Sequence, residues 1–168
     1  MLLLRQPGKG AVLTADSTFE LEASLMNGDN LACGAALSLK RAKNPISVAR
    51  AVMENTEHFC LVGEEAEELA VRSRNLEMVE QEYFYTKRRH DQLLQSKETD
   101  SIVNDHDLEQ PQKEIAIAKN DFIQNENKFG TVGCVCWYKG HVAAATSTGG
   151  MTNKMPGRVG DSALIGCG

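Results

Sequence analysis

Apolar and polar residues alternate along Thr18 to Met26, with Phe19, Leu21, Ala23 and Leu25 set against Glu20, Glu22 and Ser24, which predicts a β-strand. Asn27-Gly28-Asp29-Asn30 is a turn sequence, and the apolar run from Cys33 to Leu39 predicts a buried strand returning as the second half of a hairpin. At Asn44-Pro45 the period becomes helical: Asn44 supplies a side-chain cap, Pro45 sits in the first turn, and Ile46, Ala49, Val52 and Met53 form an apolar stripe ending near Asn55. A short strand follows from Phe59 to Val62, with His58 as a strand-edge residue and Met53 and Cys60 as core. Gly63 opens a second helix, Glu64 to about Arg74, whose three early acids suit the helix dipole. Tyr83, Phe84 and Tyr85 lead into a third helix, Lys87 to Gln95, on which Lys87 to His90 read as a solvated face. Met1 to Thr14 reads as a first strand region and the loop after it.

From Ser96 to Lys128 acids, amides and lysines dominate around Pro111, predicting a flexible linker with a transient helix near Ile115 to Phe122. A strand then runs from Thr131 to Tyr138. Thr131, Gly133, Val135 and Trp137 share one face and Val132, Cys134, Cys136 and Tyr138 the other. Both faces are mostly apolar or small, so burial on both sides is expected. Lys139-Gly140 forms a two-residue turn, His141 to Thr146 returns as a strand, and the small residues from Thr146 to Gly150 bring the backbone where a bulky side chain would not fit. A glycine-rich loop carrying Arg158 and Asp161 follows.

The net charge of −5 over 168 residues argues against a nucleic-acid surface, and no stretch is long and apolar enough to span a membrane. Met1 to Leu4 is too short an apolar run for a signal peptide. The five cysteines lack a CxxC pair or a completing histidine, so no metal site is expected; they read as reduced, mostly structural and cytosolic.

GTVG at Gly130 to Gly133, TSTGGMTNK, PGRVGDS and the final GCG, with LEASLMNGDNLACGAALSL, KNPISVARAVMEN and EYFYT upstream, resemble the plant-type asparaginases, or isoaspartyl peptidases, of the N-terminal-nucleophile hydrolases. The glycosylasparaginases share the threonine-x-glycine start and GRVGD, but GGMTNK-x-PGR is more similar to the asparaginase branch. The resemblance implies an α+β fold, part of an αββα sandwich with both sheets incomplete. It divides the chain into an α-subunit-like segment (1–95), a linker ending at the cleavage site (96–130) and the start of a β-subunit (131–168). Thr131 would be the catalytic nucleophile, released by self-cleavage between Gly130 and Thr131. A threonine hydroxyl is a weak nucleophile, and a free α-amine with a pKa of about 7.7–8.0 can serve as its base, which an internal amide cannot. Thr148 would hydrogen-bond near it. Arg158 and Asp161 would hold the α-carboxylate and α-amine of an aspartyl group, with Val159 and Gly160 shaping the loop between them. Alone, Gly130-Thr131 reads as a loop glycine before a strand, and Arg158 and Asp161 as a surface ion pair.

The implied substrates are asparagine and isoaspartyl dipeptides. The implied assembly is self-association or a dimer of cleaved pairs. Relatives hold a sodium or potassium ion in a loop that here reads RQPGKG, an altered sequence, and no other cofactor is implied. Relatives also begin with a further strand and continue past GCG through strands supplying an oxyanion hole, so the sequence as given is expected to be an incomplete version of the fold. The opposing reading is an inactive remnant that associates with a full-length relative.

Overall fold

The computed structural model describes residues 8–98 and 131–167. Five strands, β1 (Leu21–Asn27), β2 (Cys33–Leu39), β3 (Cys60–Val62), β4 (Thr131–Tyr138) and β5 (His141–Thr148), form one mixed sheet in the order β3-β2-β1-β5-β4. Only β2 and β3 run parallel. Helices α1 (Pro45–Asn55), α2 (Gly63–Arg74) and α3 (Lys87–Glu98) accompany the sheet, giving an α+β architecture. A second stacked sheet is not found among the described residues. Residues 96–98 of the expected linker belong to α3. The rest of it, with the expected helix at 115–122 and Gly130, lies outside the described residues.

Local chemistry sets most boundaries. Asn27 Oδ1 accepts the Asp29 N–H at 3.0 Å, and Asn30 Oδ1 accepts that of Ala32 at 3.0 Å, closing the β1–β2 turn with side chains. Asn44 Oδ1 caps α1 through the Ser47 N–H at 3.3 Å. The buried arc of α1 comprises Pro45, Val48, Ala49, Ala51 and Val52, while Ile46 and Met53 are half-buried. The predicted stripe is therefore rotated, because α1 packs on β1, β2 and α2 together and its small Ala49 and Ala51 allow close approach. Cys60 is likewise half-buried, since β3 is an edge strand.

The core joins Leu13, Phe19, Leu21, Ala23, Leu39, Val48, Ala66, Phe84 and Leu93. Phe19 and Phe84 rings meet at 5.8 Å. Glu67 departs from its expected service to the α2 dipole. It is 2% exposed, and its Oε1 accepts the backbone N–H groups of Lys40, Arg41 and Ala42 at 2.7, 2.6 and 3.0 Å. The segment from Gly8 to Thr14 is not a strand; Thr14 makes a single bridge to Lys154.

β4 overturns the expectation of two-sided burial. Val135 and Trp137 are each 73% exposed and Tyr138 is 64% exposed. Among the described residues β4 is the sheet's other edge, paired only with β5, and α1 lies over β1 and β2 with α2 over β2. Two apolar faces announced a strand that could be covered; among the described residues the face of Val135 and Trp137 is left open, while Val132 and Cys134 on the other face are half-buried.

Candidate functional site

The β4–β5 turn sets the geometry. Lys139 and Gly140 both take left-handed backbone angles, φ 50° and 89°, the two-residue turn that matches strand twist. Tyr138 therefore opposes His141, and counting outwards along both strands brings Thr131 opposite Thr148. Directly opposed residues share a face. Thr131 Oγ1 and Thr148 Oγ1 lie 2.9 Å apart, either able to donate. β5 runs two residues past its expected end at Thr146, which makes this pairing possible. Thr148 is 2% exposed and its Oγ1 accepts the Gly150 N–H at 2.8 Å, whereas Thr131 is exposed. A solvent-facing hydroxyl is thus backed by a buried, oriented one.

The loop after β5 returns Arg158 to this end of the sheet. A Cβ on Gly150 would lie 3.3 Å from Arg158 Nη1, and one on Gly160 only 2.9 Å away. The guanidinium occupies a slot that two missing side chains leave open. Arg158 is half-buried and forms no ion pair with a described residue, Asp161 included. Asp161 is exposed and its Oδ1 accepts the Ser162 N–H at 2.9 Å, fixing the carboxylate at the start of a 3-10 turn, Asp161–Ala163. That turn is tied to the sheet: the Ser162 carbonyl accepts Ser24 Oγ at 2.9 Å and also Thr146 Oγ1. Val159 is 37% exposed and Gly160 is buried.

Beneath the loop lies a charge cluster that the sequence reading left unassigned. Glu20, Glu22 and Lys154 are 4%, 0% and 1% exposed. Glu20 Oε2 accepts the Gly157 N–H at 2.8 Å, Glu22 Oε2 that of Gly160 at 3.1 Å, and Lys154 Nζ donates to the Glu20 carbonyl at 2.8 Å. Burial pushes the Glu22 carboxyl above its ordinary range, against the pull of the Gly160 N–H and the charges of Lys154 and Arg158. Burial also lowers the Lys154 ammonium, which Glu22 and Glu20 oppose. The available signal was two acids on a strand flanked by apolar residues, with a lysine inside the motif that carries Thr148.

The described part of the RQPGKG loop does not fit an alkali ion. Its Gly8 carbonyl accepts the Ala11 N–H at 3.0 Å, and its Gly10 carbonyl accepts Arg89 Nε at 2.8 Å, placing a guanidinium where a cation would need oxygen. Among the described residues no group of three His, Cys, Asp or Glu could hold a metal, and all five cysteines are free, with Cys136 and Cys167 exposed.

Fold and site define an α+β protein in which a strand opens on a threonine backed by a second hydroxyl and faced by an arginine loop. The chain belongs to the asparaginase family, which matches residues 4–168. A Dictyostelium discoideum protein is 48% identical over 96% of this chain and 51% of its own length. The isoaspartyl peptidases of Escherichia coli and Salmonella typhimurium are 43% and 42% identical over 96% of this chain, covering 46% and 48% of their lengths. The chain thus spans about half the length of the curated relatives it matches. No described helix is long and apolar enough to cross a membrane.

Proposed function

We propose that this chain carries the nucleophile of a threonine-type hydrolase acting on β-aspartyl peptide bonds and the asparagine side-chain amide. The observation that carries this reading is the 2.9 Å contact between Thr131 and Thr148 at the opening of β4. In self-cleavage, Thr131 Oγ attacks the Gly130 carbonyl carbon, the peptide nitrogen leaves with a proton, and an ester remains. Water then hydrolyses that ester, giving a Gly130 carboxylate and a free Thr131 amine that acts as the base in turnover. Thr148 orients the nucleophile's hydroxyl. The Arg158 fork takes the substrate's α-carboxylate and Asp161 its ammonium, presenting the side-chain carbonyl to Thr131.

Residues 1–95, 96–130 and 131–168 would then be the α-segment, the linker and the β-segment of an αββα sandwich that works as a dimer of cleaved pairs. The free cysteines support a reducing, cytosolic setting. The test is release of aspartate from β-aspartyl dipeptides and of ammonia from asparagine. Thr131→Ala should abolish both, and equal turnover by wild type and variant would sink the reading.

A further inference from the structure

We propose that Glu22 is the positioning residue for Arg158, its buried carboxylate holding the guanidinium in the Gly150–Gly160 slot through Gly160 and through charge; this rests on the substrate-binding role given to Arg158 above. Glu22 stands on β1 directly opposite Thr148, which stands opposite Thr131, so all three occupy one face of adjacent strands. At roughly 4.8 Å per strand, Glu22 is about 10 Å across the ladder from the nucleophile, too far to touch a substrate carbonyl held there. It acts through the loop.

A fully buried carboxylate requires compensation. Oε2 of Glu22 receives the Gly160 N–H, while Oε1 has no hydrogen-bond partner among the described residues. The charges facing it are Lys154, Arg158 and Glu20. Lys154 is anchored on the Glu20 carbonyl, whereas Arg158 has no ion-pair partner among the described residues. Gly160 connects the two groups: its N–H bonds Glu22, and a Cβ on it would lie only 2.9 Å from Arg158 Nη1. The guanidinium is therefore located by glycine sterics and fixed by Glu22, with its outward N–H donors left for a ligand carboxylate.

Glu22→Gln separates charge from shape, since the amide oxygen still accepts the Gly160 N–H. On the full chain, side-chain NMR of the Arg158 Nε–H, assigned by its loss in Arg158→Lys, reports order at the guanidinium, and titration with L-aspartate reports binding. In Glu22→Gln the resonance should become mobile and aspartate binding weaken roughly ten- to a hundredfold. Glu20→Gln, which touches Gly157 instead, should leave the resonance ordered. Gly160→Ala, which forces the guanidinium aside while keeping Glu22, should disorder it, and this arm tests the steric half of the proposal even where Glu22→Gln fails to fold. An Arg158 resonance as ordered in Glu22→Gln or Gly160→Ala as in wild type overturns the proposal. A wild-type chain with an ordered Arg158 that binds no aspartate overturns the substrate reading alone.

Discussion

β1 and β4 invert each other. On β1, Glu22 is as buried as Leu21 and Ala23, and Glu20 just before the strand is buried too; on β4, Val135 and Trp137 are as open as surface side chains. Both read as strands, and both are. What separates them is place: β1 lies between β2 and β5, under α1 on one face and the Arg158 loop on the other, while β4 is an edge among the described residues. Period reveals the strand, but position in the sheet decides which face is covered. Glu22 and the adjoining Glu20 are tolerated because backbone N–H groups and Lys154 meet them.

If that contrast is correct, charge removal inside the β1 cluster should produce the largest stability change in the molecule. Lys154→Met removes the buried cation facing Glu22, leaving Glu20 with Lys40 at 3.9 Å, and should cost about 3–5 kcal/mol in denaturant unfolding. Adding Glu22→Gln should recover part of that loss, as expected for coupled groups. Leu21→Ala, in the apolar half of the same strand, should cost about 2–5 kcal/mol by leaving a cavity.

A pH series sharpens the contrast further. The Glu22 carboxyl is raised on folding, chiefly by burial, so the folded state holds its proton more tightly than the unfolded chain does. Its contribution to stability is fully present below the ordinary glutamate value of 4.5 and is lost as pH rises through the higher folded value. The stability of wild type relative to Glu22→Gln should therefore decline from acid toward neutral pH, and a difference constant across that range would contradict the assignment. The smallest effect belongs to β4: Trp137→Ser should change stability by less than about 0.5 kcal/mol while reducing self-association, measured by light scattering. A loss as large as that of Leu21→Ala would mean that β4 is covered.

Features governed by neighbours in sequence were legible. The bounds of β2, the Asn44 cap of α1 and the Lys139-Gly140 turn all follow from residues a few positions apart. The turn also contained the Thr131–Thr148 pairing, because a two-residue connection leaves one register. Features governed by distant segments were not legible. Glu22 is buried because Gly160 and Lys154 return to it from the far end of the chain, and the α1 stripe turned because α2 packs against it. Val135 and Trp137 were misjudged for the same reason, since no local signal states what lies across a face.

The most direct test of Thr131 as the nucleophile is the intact mass of the purified chain after prolonged incubation, beside a Thr131→Ala control. Wild type should separate into two fragments meeting between Gly130 and Thr131 while the control stays near 18.4 kDa. Both proteins remaining whole, or both breaking alike, would contradict the role of Thr131.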